Sequence, residues 1–269
     1  MSGHDHDLLP RLPAGREWTP VRRGESGDRV YRRSDGAAFA KVSTGPGAAL
    51  LDGERRRIDW LAGSGLGSPD VLDWAASDGA ACLVMSAVPG VPASELTAPE
   101  LARAWPSIAE RIKALHALPA ADCPFDRGLA RMFARAEDVV GRDAVNPDFL
   151  AEEDRDVPSS ALLDRVRAEL PRRLAQERAD RVVCHGDACM PNLMVDPETL
   201  RCVGLIDLGR LGTADRYVDL TLLLANARET WSGPEQAQAA HDRLFEILAL
   251  PPDEGRLAFY LRLDPLTWG

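Results

Sequence analysis

The pattern of apolar residues changes near residue 87, and that change limits what this chain can fold into. Before it, apolar residues come in short runs broken by turn formers. "WTPVRRG", "DRVYRRS" and "AAFAKVS" are separated by "GESG" and "SDG", which reads as an antiparallel meander with a Gly-rich first turn. "ALLDGERRRIDWLAGSG" then places Leu50, Leu51, Ile58, Trp60 and Leu61 at roughly helical spacing and ends in glycines. "DVLDWAA" and "ACLVMSA" read as two more strands. After the Pro-, Ser- and Gly-rich "VPGVPASELTAPE", helical spacing dominates from "APELARAWPSIAERIKALHAL" to "DEGRLAFYLRLDPL". The expected architecture is α+β and bilobal. A small β-rich lobe with one main helix takes residues 1–86, and a larger helical lobe takes residues 87–269. Ligand sites favour the cleft between such lobes.

One stretch interrupts the helices. "VVCHGDACMPNLMVDPETLRCVGLIDLGRLG" (residues 182–212) holds two short apolar runs, each followed by a polar cluster with an aspartate. Asp187 and Asn192 share one loop, stiffened by Pro191. Asp207 follows "VGLI" and precedes Gly209, which would permit a tight turn. A carboxylate and an amide oxygen are hard ligands that suit Mg²⁺. A second carboxylate can accept a proton from an attacking hydroxyl. Phosphoryl transfer needs this equipment, because positioning and charge supply most of its catalysis.

The phosphate-binding half is sought earlier in the chain. Lys41 ends the apolar run "AFAK" on a predicted strand, and a lysine buried there needs an anionic partner. Glu54 on the first predicted helix is a candidate. "RGESGD" (residues 23–28) offers Gly24 and Gly27 in a turn whose N–H groups could cover phosphates, with Ser26 adding a hydroxyl. Each feature alone has a bland reading: a plain hairpin turn, a solvated lysine, a surface glutamate. The ordered set is what points to a kinase.

Bulk properties narrow the partners. A chain of 269 residues, 45% hydrophobic and 28% charged, can bury a full core. Its net charge of −10 disfavours nucleic acid and anionic membranes and favours a small cation. Cys82, Cys123, Cys184, Cys189 and Cys202 are odd in number and lack a CxxC pair, so they read as reduced thiols of a cytoplasmic protein. The leader "MSGHDHDLLPRLPAG" is not a signal peptide, and no apolar run approaches the roughly 18 residues that span a bilayer.

"HGDACMPN" with "IDLG" resembles the aminoglycoside phosphotransferases, a family with a protein-kinase-like fold. The resemblance runs from "VRRGESGDRVYRR" to "FYLRLDPLTWG". Within that family, "GESGD", "LIDLGRLGTADRY" and "RLDPLTWG" resemble the streptomycin 3″-phosphotransferases more than the kanamycin-type 3′ enzymes, whose endings are acidic and aromatic. The resemblance implies ATP and Mg²⁺ as cofactors, a cationic aminoglycoside as substrate and a monomer. It implies Asp187 as the catalytic base, also in contact with substrate, and Asn192 and Asp207 as Mg²⁺ ligands. It implies Lys41 on the phosphates, paired with Glu54, and Ser26 over the triphosphate. "MSAVPG" matches the hinge, so the backbones of Ser86 and Val88 are expected to bind adenine.

Pro265 departs from the kanamycin-type ending, while Asp264 is kept and is the candidate to face an amino or guanidino group. An acidic loop at residues 146–156 is a second candidate, with solvated charge as its bland reading. Asp219 in "DRYVDL" is expected to brace the Asp187 loop. The alternatives left open are a kinase for another small hydroxyl compound (another aminoglycoside, choline, homoserine or a fructosamine) and a nucleotide-binding pseudokinase.

Overall fold

The computed structural model describes residue 12 and residues 17–21, 29–77 and 79–269. The meander is β1 (Trp18–Val21), β2 (Arg29–Arg33) and β3 (Ala38–Thr44), followed by helix α1 (Pro46–Leu61) and strands β4 (Val71–Ser77) and β5 (Ala80–Ser86). The strands form one antiparallel sheet in the order β1-β2-β3-β5-β4. β3 and β5 are therefore central. Alternation along β3 sends Ala38, Ala40 and Val42 to one face, where they pack with Cys82 and Val84 and with Leu12, Trp18 and Tyr31. Lys41 points to the opposite face. It sits mid-strand, opposite Leu83, and not at the strand end that the run "AFAK" suggests, because Val42, Ser43 and Thr44 continue the ladder.

Helix α1 packs on β3 and β5. Its buried row is Leu51, Glu54, Ile58 and Leu61, spaced three, four and three residues apart. Burying each leucine or isoleucine contributes about 1.5–3 kcal/mol. A lone buried carboxylate in the same row would cost several kcal/mol, roughly cancelling one or two of those neighbours. The row is stable only if Glu54 is paired.

The rest of the chain supplies β6 (Val91–Pro92), α2 (Ala98–His116), α3 (Leu129–Gly141), α4 (Ser159–Asp180), β7 (Arg181–Cys184), β8 (Leu193–Val195), β9 (Cys202–Leu205), β10 (Gly212–Asp215), α5 (Tyr217–Ala227), α6 (Pro234–Leu248) and α7 (Glu254–Leu263). Glu100 starts α2 by accepting the Thr97 N–H at 2.8 Å. The buried face of α2 includes Leu101, Trp105, Ile108, Ile112 and Leu115. Trp105 ties it to α6 by donating to the Ala240 carbonyl at 2.7 Å. β7 pairs antiparallel with β10, Cys184 opposite Gly212, so the turn after β7 is held by a strand that lies beyond Asp207 in sequence. The acidic loop contains two single 3₁₀ turns, Pro147–Phe149 and Glu152–Asp154, and Asp154 pairs with Arg165 at 2.8 Å.

The chain divides into two compact units. One is the chain up to Gly90 together with Val203–Gly209, and the other is Val91–Cys202 with Arg210–Gly269. The division expected at residues 86 and 87 differs chiefly in the returned segment. Leu205 N–H donates to the Gly67 carbonyl at 2.9 Å. A Cβ on Gly204 would stand 2.2 Å from that same oxygen and 2.4 Å from Val88 Cγ1, so only glycine lets the two backbones close up. That seam places Asp207 with the sheet and α1. Among the described residues, no helix is long and apolar enough to cross a membrane.

Candidate active site

In the first unit, the buried lysine finds its partners. Lys41 Nζ lies 2.7 and 2.9 Å from the two oxygens of Glu54 and 3.0 Å from Asp207 Oδ1. Burial alone disfavours the ammonium, but the Glu54 and Asp207 carboxylates outweigh it and hold the Lys41 amine above the ordinary lysine range. Lys41 therefore stays charged at any physiological pH. Two carboxylates around one ammonium leave a net negative charge, and the Asp207 side chain is 41% exposed while that of Glu54 is 5% exposed. Glu54 is thus the internal counter-ion, and Asp207 is the carboxylate a cation from solvent can reach.

The turn that aims Asp207 differs from its sequence reading. Asp207 itself adopts a left-handed conformation, φ 60°, and Gly209 is not among the glycines with positive φ. Aspartate is among the few residues that tolerate this region. A Cβ on Gly209 would make only ordinary contact with Glu54, at 4.0 Å. Asp143, Leu200 and Ala249 share this conformation, so at Asp207 it shapes the turn and aims the carboxylate.

In the second unit, the Asp187 loop is held by a buried aspartate on α5. Asp219 accepts the His185 N–H at 2.9 Å and the Gly186 N–H at 2.8 Å, and lies 3.0 Å from His116 Nε2. Burial opposes its ionisation, yet the contacts with His116, the nearby His185 and the Gly186 N–H hold its carboxyl below the usual aspartate value. The expected brace is therefore present. His116 is the member that the sequence reading missed. Its signal was its place on the buried face of α2, four residues after Ile112. Cys184 lies close to this pair, with ligand atoms of the three within 4.8 Å. Burial pushes its thiol well up, so it stays protonated, and Asp219 already serves the two loop N–H groups. The hydrogen bonds of Asp219 make this cluster a brace for the loop.

Asp187 is half-buried in this loop. Asn192 donates its amide to the Asp187 carbonyl at 3.0 Å and to Cys189 Sγ at 3.1 Å.

The remaining expected residues fall as follows. Ser86 N–H donates to the Asp70 carbonyl at 2.9 Å, so its amide is spent in the sheet. Val88 packs on Gly204. Ser26 and its turn lie outside the described residues. Asp264 comes paired: Arg210 Nη1 is 3.3 Å from one oxygen, and Trp268 donates its indole N–H to the other at 3.1 Å. The cysteines are free thiols, as expected.

One unit carries fixed charge around a buried lysine, and the other carries a carboxylate on a pinned histidine–glycine–aspartate loop. Kinase-like phosphotransferases are built in this way, from an antiparallel sheet with one helix and a larger helical unit. The comparisons with known proteins agree. The chain belongs to the phosphotransferase enzyme family, whose model matches residues 17–260. It is 53% identical over 255 residues to the streptomycin 3″-kinase of Streptomyces griseus, covering 95% of this chain and 94% of that protein. It is 39% identical to an aminoglycoside 3′-phosphotransferase of Streptomyces fradiae, covering 97% and 98%. The structure of aminoglycoside phosphotransferase APH(3″)-Id from Streptomyces rimosus, in complex with ADP and streptomycin, superposes with a TM-score of 0.92 at 45% identity, covering 98% and 97%.

Proposed function

We propose that this chain transfers the γ-phosphoryl group of ATP to a hydroxyl of an aminoglycoside, with the 3″-hydroxyl of streptomycin as the acceptor, and so confers resistance. The observation that carries the reading is the Lys41–Glu54–Asp207 cluster, in which buried pairing keeps a lysine charged beside an exposed carboxylate. The likeness to the Streptomyces griseus streptomycin 3″-kinase and to an enzyme bound to ADP and streptomycin supports the substrate and the nucleotide.

The residues divide the work. Asp187 orients the acceptor hydroxyl and takes its proton as the phosphoryl group passes in line. Asp219 keeps that carboxylate's loop in place through the two backbone N–H groups, so little reorganisation is needed at the moment of transfer. Lys41 binds ATP phosphates, and Glu54 keeps it extended toward them. Asp207 and Asn192 would hold Mg²⁺, which supplies charge neutralisation for the triphosphate. The Ser86 carbonyl and the Val88 backbone would meet the adenine, and Ser26 would cover the phosphates. An acidic surface suits a cationic drug, and the protein works as a cytoplasmic monomer.

The test is ADP release with ATP alone, with streptomycin and with kanamycin, followed by mass and NMR analysis of the product. Streptomycin-dependent turnover with the phosphate on the 3″-oxygen is expected. Turnover with kanamycin but not streptomycin would move the substrate assignment to another aminoglycoside.

A further inference from the structure

Arg210 is the first residue of the second unit after the segment that carries Asp207. Its guanidinium carbon lies 3.4 Å from the centroid of the Trp268 ring. Its Nη1 is 3.3 Å from Asp264 Oδ1, and Trp268 donates its indole N–H to Asp264 Oδ2 at 3.1 Å. Each of the three side chains therefore touches the other two. The far side of this ring is anchored again. Phe149 from the acidic loop meets Trp268 edge to face, centroids 5.8 Å apart, and the Gly269 carbonyl accepts from Arg135 and Arg142. Its near side bears on the loop of Asp187. Gly186, with φ +79°, lies so close to Arg210 that a Cβ on it would stand 2.2 Å from the Arg210 carbonyl.

We propose that Arg210, Asp264 and Trp268 form a positioning clasp for the Asp187 loop, and that Asp264 serves this clasp instead of facing the substrate. The inference rests on the phosphotransferase reading of that loop. Both oxygens of Asp264 are engaged, and its side chain is 14% exposed. A guanidinium that stacks on an indole and pairs with a carboxylate is fixed in two directions, which an ammonium is not. Fixing the Arg210 side chain fixes the backbone against which Gly186 rests. Asp219 holds the Asp187 loop by hydrogen bonds, and the clasp bears on the same loop by contact at Gly186.

The experiment uses the full chain and two reactions: phosphorylation of streptomycin, and the slow hydrolysis of ATP by water without antibiotic. Misplaced catalytic groups lose rate without losing substrate affinity, and shifts of about 1 Å can cost up to roughly 100-fold. Trp268→Ala is expected to lower kcat of both reactions about tenfold and to leave the streptomycin KM within about twofold. Trp268→Phe keeps a stacking face and should recover most of that kcat. Asp264→Asn should show a smaller loss in the same direction, and it carries the test with Trp268→Phe should Trp268→Ala fail to fold. Arg210→Ala with Trp268→Ala should be no slower than the slower single variant, since both remove one contact. A raised streptomycin KM with both kcat values intact would make these residues substrate contacts and overturn the clasp. Unchanged kcat in every variant would overturn it as well. The wild type in the same assay separates the two ideas: no transfer to any aminoglycoside sinks the functional reading, whereas normal transfer beside silent variants sinks only the clasp.

Discussion

The Lys41 cluster and the Asp187 loop solve the same problem by different physics. Each must hold a charged side chain ready in a partly dry place. The Lys41 cluster does it with direct ion pairs, 2.7 Å to Glu54 and 3.0 Å to Asp207. The Asp187 loop is held through backbone, because Asp219 binds the N–H groups of His185 and Gly186. One region is fixed by charge, the other by hydrogen bonds to the main chain.

That contrast is sharpest in function. Asp187→Asn should lower kcat by roughly 10²–10⁴-fold, the usual share of a general base, while nucleotide affinity and thermal stability stay near wild type. Single-turnover kinetics and nucleotide titration measure both. Retention of more than about a tenth of kcat would remove the base assignment.

Asp219→Ala acts on the same loop through its backbone. It leaves two backbone N–H groups and His116 without their acceptor, so a stability loss of about 3 kcal/mol is expected, together with a fall in kcat. Urea unfolding checks the first effect. A stable Asp219→Ala protein with full activity would mean that the loop holds its shape unaided.

Lys41→Met should act on the other region in the opposite order. Nucleotide binding weakens first, and stability falls by about 3 kcal/mol because Glu54 is left buried without its partner. The added change Glu54→Gln should restore part of that stability without restoring nucleotide binding. If the double variant is no more stable than Lys41→Met, the pairing contributes nothing and the row on α1 tolerates a free carboxylate.

The smallest effects lie at the ends of the pH scale. The lowered Asp219 carboxyl contributes stability above the unfolded aspartate value of about 3.9 and loses it as pH falls through the folded value. The raised Lys41 amine contributes stability below the unfolded lysine value of about 10.4 and loses it as pH rises through the folded value. Stability profiles of Asp219→Asn and Lys41→Met should therefore flatten on the acid and the alkaline limb respectively. A Lys41→Met profile whose alkaline limb was unchanged would contradict this account.

Much of the site was legible before any coordinates. Glu54 stands in an otherwise apolar row on α1, Lys41 in an apolar strand, and Asp187 and Asn192 in one short loop. Residues of the wrong polarity in a periodic pattern are visible in one dimension, and a buried charge implies a partner. His116 lies on the buried face of α2, but a lone histidine on a helix has many uses and its partner is 103 residues away. The turn at Asp207 was misplaced onto Gly209, since composition favours glycine and says nothing of strain borne by an aspartate.

By itself, the sequence determined the order of elements, the change from strands to helices and the residue types able to do phosphoryl transfer, because these depend on local periodicity and side-chain chemistry. Only tertiary structure decided that Val203–Gly209 returns to the first unit. It also decided that Asp219 and His116 meet from α5 and α2, and that Asp264 is bound by Arg210 and Trp268. Those pairings join residues from 4 to 103 positions apart, and most are set by packing, which no local pattern records.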